Sequence, residues 1–116
     1  MTQKSCLFCK IVKREIDAKM VYEDERVFAF EDIKPEAPVH ILVIPKRHIE
    51  KISDLRDNDV ELTGHLILAA KKIAEDKGIA NSGYRIVMNC NRDAGQEVFH
   101  MHIHLLGGRK LTWPPG

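Results

Sequence analysis

The run His100-Met101-His102-Ile103-His104-Leu105-Leu106 sets three of the chain's six histidines two apart, with apolar residues between them. Alternation at period two is the pattern of a half-buried strand. It puts His100, His102 and His104 on one face and Met101, Ile103 and Leu105 on the other, so one face packs while the other is free for chemistry. At a rise of roughly 3.3 Å per residue, neighbouring imidazoles stand about 6.6 Å apart and the outer pair about 13 Å apart. One metal ion, with histidine ligands at about 2 Å, cannot hold all three. The row is left either as a chelating pair plus a third group, or as imidazoles laid along a phosphate-bearing substrate.

The 116 residues suit one domain, spanning 1–116. With 44% hydrophobic and 30% charged residues, the composition is that of an ordinary globular protein. Eighteen Lys and Arg against 17 Asp and Glu leave a formal charge of +1, too little field to hold a long polyanion, so nucleic acid is not an expected partner. Apolar runs such as Ile41–Ile44 and Leu66–Ala70 fall far short of the about 18 residues a membrane span needs, and Met1 to Ser5 lead into no signal-type segment. The expected location is the cytoplasm. Three cysteines, an odd number, point to reduced thiols that bind metal or lie buried.

Cys6-Leu7-Phe8-Cys9 opens the chain, and the apolar spacing in Lys10–Ile16 fits a short helix. A redox role for Cys-x-x-Cys would want a strand ahead of it, and a metal role wants two further ligands, for which His48 and His100 are candidates. Met20–Phe30 reads as two strands joined at Glu23-Asp24-Glu25, followed by a Pro-rich loop in which Asp32 can accept from ligand hydroxyls. Val39–Pro45 is a third strand, and His40 on it joins the candidate site. Ser53–Gly78 holds the one long helix. Its apolar stripe is Val60, Thr63, Leu66, Ile67, Ala70, Ile73 and Ala74, with a capping box at Asn58 and Glu61, Gly78 as the stop, and His65 off the stripe on the surface. Gly83–Asn89 is a fourth strand, and Asn91–Gly95 reads as a turn making an antiparallel hairpin with the histidine strand. The tail ends Trp113-Pro114-Pro115-Gly116, and its indole needs cover.

The pattern Gln96-x-Val98-x-His100-x-His102-x-His104-Leu105-Leu106 resembles the signature of the histidine triad (HIT) family. Asp32-Ile33, Ala37-Pro38-x-His40, Val43-Ile44-Pro45-Lys46, Gly83-Tyr84-Arg85, Asn89, Gly107-Gly108-Arg109 and the tail resemble its nucleotide-binding branch. The resemblance covers nearly the whole chain. It implies an α+β fold: a five-stranded antiparallel sheet, one long helix, a short N-terminal helix, and a sheet extended across a homodimer. It also implies a purine nucleoside phosphoramidase acting by nucleotidyl transfer to a histidine. A dinucleoside polyphosphate hydrolase is the second enzyme reading, and a zinc-stabilised nucleotide-binding module with incidental catalysis the third.

Carried over position by position, the resemblance makes His102 the nucleophile and His104 and His40 its phosphate-contacting and proton-handling partners; His100 belongs to the same candidate site and, if it holds no metal, serves to orient its neighbours. Phe8, Ile11, Ile16, Phe30, Ile33 and Leu42 match the slot for the base, Asp32 the ribose contact, and Asn89 a phosphate-side contact. Trp113 is expected near the partner subunit's site. Two departures stand out. Glu97 follows Gln96 where many relatives have serine, and an ionised carboxylate cannot donate to phosphate. Cys9, with Cys6, His48 and His100, matches the zinc ligands of some bacterial members, which implies a structural zinc and no cofactor for the chemistry.

Overall fold

The computed structural model describes residues 5–116, so the reading of Met1 to Lys4 as free of a signal-type segment lies outside the described residues. The elements run α1 (Leu7–Val12), β1 (Met20–Glu23), β2 (Val27–Glu31), β3 (Val39–Pro45), α2 (Val60–Asp76), β4 (Tyr84–Val87) and β5 (Ile103–Gly107). Short 3-10 turns lie at Ile52–Asp54, Asp57–Asp59 and Arg92–Ala94. The strands make one antiparallel sheet in the order β1-β2-β3-β5-β4. No helix among the described residues is long and apolar enough to cross a membrane.

Strand alternation divides the sheet into two apolar faces. Val27, Ala29, Ile41, Val43, Ile103 and Leu105 pack with Leu62, Leu66, Ala69, Ala70, Ile73 and Ala74 of α2. Each fully buried Ile, Leu or Val there contributes about 1.5–3 kcal/mol relative to exposure. Phe28, Phe30, Leu42 and Ile44 point the other way and pack with Cys6, Phe8, Cys9 and Ile11 from the α1 region. His40 and His104 share that second face, through the pairings His40 with Leu106 and Leu42 with His104. The long helix therefore covers one side of the sheet, and α1 only part of the other, where the polar groups gather.

Several elements differ from the sequence reading. α1 begins at Leu7, not Lys10, because the Cys6 sulfur caps it by accepting from the Cys9 N–H at 3.4 Å, and it ends before Arg14, whose φ is +62°. The long helix begins at Val60 behind a 3-10 turn, and the side chain closing that turn is Asp59, which accepts from the Arg56 N–H at 2.9 Å; Asn58 is exposed. Its buried stripe is turned from the expected one: Leu62 and Ala69 lie inside, while Val60 and Ile67 face out. Gly78 does end it, at φ +74°.

The largest correction concerns the histidine run. β5 begins only at Ile103, and β4 and β5, though antiparallel neighbours, are joined by a long connection in place of a tight hairpin. The backbone is drawn elsewhere: Met101 N–H donates to the Ile49 carbonyl at 2.7 Å, and the Gln96 side-chain amide donates to the carbonyls of Glu50 at 2.7 Å and Val98 at 3.1 Å. Alternation nevertheless persists through it. Met101 and Ile103 lie in the helix-side core, and the histidines lie opposite.

His65, expected on the surface, is half-buried, with Nε2 2.7 Å from Asp24 Oδ2. Asp24 also accepts from the Tyr22 hydroxyl and from the N–H groups of Arg26 and Val27. Burial opposes its ionisation, but these donors outweigh that and hold the carboxyl well below its ordinary range. One carboxylate thus closes the β1–β2 turn and docks α2 against it.

Candidate active site and metal centre

His40 lies on β3 and His104 on the adjacent β5, and their rings meet with His40 Nε2 2.9 Å from His104 Nδ1. The tautomers follow from their partners. The Glu36 N–H can only donate, and it reaches His40 Nδ1 at 3.0 Å, so that nitrogen carries the lone pair and Nε2 the proton. His40 Nε2–H then donates to His104 Nδ1, which places the His104 proton on Nε2. His102 Nδ1 lies 2.8 Å from the His100 carbonyl, an acceptor only, so Nδ1 carries the proton and Nε2 the lone pair. The rings of His102 and His104 are 4.9 Å apart. The site thus holds one bare imidazole nitrogen beside one imidazole N–H, at the end of a chain of hydrogen bonds with a fixed direction.

Burial keeps the His104 and His102 rings neutral. Burial, with His102 and His40 adding, pushes His104 down to about 4, against the pull of Asp32. His102 is lowered too, by burial first, partly offset by its hydrogen bond to the His100 carbonyl. Asp32 accepts from the Lys34 N–H at 2.9 Å and lies 3.4 Å from His40 Nε2.

The structure brings Phe8, Ile11, Phe30 and Leu42 together in the buried cluster on the site face. Phe8 sets its ring edge-on to Phe30 at 5.4 Å and to His102 at 5.1 Å. Ile16 is exposed, and Ile33 stands 91% exposed in the loop after β2. Asn89 is half-buried just beyond β4, Glu97 is exposed on the long connection, and Trp113 is 81% exposed in the tail. Reading the residues missed the groups that set the tautomers, namely the Glu36 N–H and the carbonyls of Pro45 and His100. Every residue carries such backbone groups, so the sequence holds no signal for them.

Cys6, Cys9, His48 and His100 form a second group, whose donor atoms all lie within 4.8 Å of one another. His100 Nε2–H donates to the Pro45 carbonyl at 2.7 Å, which turns the Nδ1 lone pair toward the sulfurs. Nδ1 lies 3.3 Å from Cys6 Sγ, 3.5 Å from Cys9 Sγ and 3.3 Å from His48 Nδ1, and Cys9 Sγ lies 3.3 Å from His48 Nδ1. A tetrahedral zinc with bonds of about 2.0–2.1 Å to nitrogen and about 2.3 Å to sulfur has N···N edges of about 3.3 Å and N···S edges of about 3.5 Å. The group has the donor set and the spacing for a metal ion. His48 Nε2 is buried without a hydrogen-bond partner, so its Nδ1 is the atom that faces the group. Burial and then the Cys6 hydrogen bond push the Cys9 thiol up to about 11, and burial brings His100 down to about 4.

Asp32, His40 and His104 also lie close enough to suggest a metal site. The Nδ1 lone pairs of the two histidines are committed. The Glu36 N–H occupies His40 Nδ1 and His40 Nε2–H occupies His104 Nδ1, which makes the histidine pair a proton path and leaves Asp32 as the one free donor of the three.

Comparison with known proteins finds the HIT domain over residues 13–111. The chain is 51% identical over 105 residues to a purine nucleoside phosphoramidase of Escherichia coli (strain K12), covering 90% of this chain and 88% of that protein. Among solved structures, it is similar to a HIT family hydrolase from Legionella pneumophila Philadelphia 1, with 54% identity, a TM-score of 0.95, and 97% of this chain and 100% of that one covered. A histidine triad protein from Clostridium difficile is 46% identical, with a TM-score of 0.93 and 97% of each chain covered.

Proposed function

This chain belongs to the histidine triad (HIT) family, and on that premise we propose that it is a purine nucleoside phosphoramidase, hydrolysing the P–N bond of adenylyl- or guanylyl-amines through a nucleotidylated histidine. The observation that carries the reading is the direction of the hydrogen-bond chain from the Glu36 N–H through His40 to His104, beside the bare Nε2 of His102.

His102 Nε2 attacks the α-phosphorus, the P–N bond breaks with its electron pair on nitrogen, and the His104 Nε2 proton moves to the departing amine. An alkylamine cannot leave as an anion, and proton donation of this kind is typically worth about 10² to 10⁴ in rate. The nucleotidylated His102 becomes cationic while the neutral His104 ring, losing its one proton, becomes an imidazolate held by the His40 N–H, so the net charge of the site is unchanged. Water then attacks phosphorus, gives one proton back to His104 Nε2, and releases the nucleotide and neutral His102. The apolar cluster of Phe8, Ile11, Phe30 and Leu42, with Ile16 and Ile33, would stack a purine, with Asp32 on the ribose, Asn89 on the phosphate side, and Glu97 near the leaving group.

Cys6, Cys9, His48 and His100 would hold a structural zinc ion, which ties α1 to the segment before β5 and supplies no step of the reaction. The free thiols of Cys6, Cys9 and Cys90 suit a reducing cytoplasm. The chain would also act as a homodimer. The edge strand β4 exposes Tyr84 and Ile86, α2 exposes Val60, Ile67 and Leu68, and Trp113 is 81% exposed, apolar surface that a second copy would cover. A partner covering these would bring Trp113 toward its own site. Sedimentation at micromolar concentration should give a dimer, and a monomer there removes this reading.

The substrate class is tested by profiling. Adenylyl-alkylamine should be cleaved at least about tenfold more efficiently than a dinucleoside polyphosphate, whose phosphate leaving group needs less proton help. Preference for the dinucleoside polyphosphate would favour the second enzyme reading. Loss of both activities in a protein that still binds nucleotide would favour a binding module.

A further inference from the structure

The relay direction depends on one peptide group in an exposed loop. Glu36 lies between Pro35 and Pro38, outside any strand, and its N–H is the donor that holds the lone pair of His40 Nδ1, with the Asp32 carboxylate 3.4 Å from Nε2 favouring the same tautomer from the other side. Its carbonyl is gripped from the turn that follows β5: Arg109 donates to it from Nη2 at 2.9 Å and from Nε at 3.3 Å, while Arg109 Nη1 donates to the Lys110 carbonyl at 3.0 Å. The same turn meets the loop again at Gly108, whose φ is +89° and where an added Cβ would lie 2.9 Å from Pro38 Cβ. The N–H and carbonyl of Glu36 flank one α-carbon with only two soft dihedrals, so holding the carbonyl restrains the N–H.

We propose that Arg109 is a positioning residue for the reaction: by clamping the Glu36 carbonyl it keeps the Glu36 N–H on His40 Nδ1 and so keeps the transferable proton on His104 Nε2. This rests on the phosphoramidase reading. Released from that N–H, His40 can place its proton on Nδ1, and His104 must then put its own proton on its Nδ1 to keep the shared hydrogen bond. Its Nε2 is left bare, and an amine breaking from phosphorus finds no proton there. A leaving group stable as an anion, such as p-nitrophenolate, breaks away without one.

The test compares the wild type with Arg109→Ala and Arg109→Lys on two substrates, an adenylyl-alkylamine and the p-nitrophenyl ester of the same nucleotide. Arg109→Ala should lose about 10- to 100-fold in kcat on the alkylamine and no more than about threefold on the ester, with KM little changed on either. Arg109→Lys, which can still donate to the carbonyl, should recover most of the alkylamine rate. Nitrogen-15 NMR of the His40 ring should show Nε2 protonated in the wild type and a mixed or reversed tautomer in Arg109→Ala. Equal losses on both substrates, or an unchanged His40 tautomer, overturn the proposal. A wild type that fails to cleave the alkylamine instead overturns the phosphoramidase reading, and the NMR comparison then decides the role of Arg109 alone.

Discussion

Replacing His102 by alanine lowers kcat on an adenylyl-alkylamine by about 10⁴-fold or more while nucleotide affinity stays within about threefold. The size follows from what is removed. His102 Nε2 carries the lone pair that faces the site in this tautomeric arrangement, because His104 Nδ1 is occupied by His40 and His100 Nδ1 faces the sulfurs. Affinity should be spared because the slot proposed for the purine draws on Phe30, Leu42 and other side chains of the second apolar cluster, none of which His102 supports alone. Phe8 loses one edge contact with the ring, which accounts for the small allowance. Steady-state kinetics with calorimetric titration of the nucleotide separates the two quantities. Retained turnover would mean that no covalent step passes through this residue.

Purified without chelator or a metal-binding tag, the protein should contain about one zinc per chain, and Cys9→Ser should lose it together with about 3–5 kcal/mol of stability. That is less than the about 10–16 kcal/mol of a zinc finger, because the sheet here already closes two apolar clusters of its own. For a chain of this size the loss corresponds to a fall in Tm of roughly 10–20 °C. The site also bears on the reaction. The His100 carbonyl accepts from His102 Nδ1, so a metal bond at the His100 ring would steady the backbone that holds His102, the proposed nucleophile. Chelated wild type should therefore lose activity along with stability, by about tenfold. Metal analysis beside thermal melts decides: metal-free protein with an unchanged Tm and full activity removes the zinc site.

The side chains that gather at the site were visible in the sequence because their signals are local. Period-two alternation put His100, His102 and His104 opposite Met101 and Ile103, and that division survives even though β5 starts only at Ile103. Cys6 and Cys9 were joined to His48 and His100 by chemistry, through the donors a tetrahedral ion needs, and their atoms do converge. Where the reading failed, the deciding contact was distant or came from the backbone. Nothing in Asn91–Gly95 says that Met101 will pair with Ile49, so a tight hairpin looked sufficient. The rotation of α2 depends on which stripe meets β3 and β5, and Val60 and Ile67 are as apolar as Leu62. The tautomers lay deepest, since they turn on the Glu36 N–H and on the carbonyls of Pro45 and His100, groups that every residue possesses.

The covalent account is tested most directly by rapid quench. Wild-type protein mixed with excess adenylyl-alkylamine and stopped within the first turnover should carry one adenylyl group per active site, found by peptide mass spectrometry on His102, appearing and decaying at rates that match kcat. Turnover with no such adduct, or an adduct on His40 or His104 in its place, would contradict it.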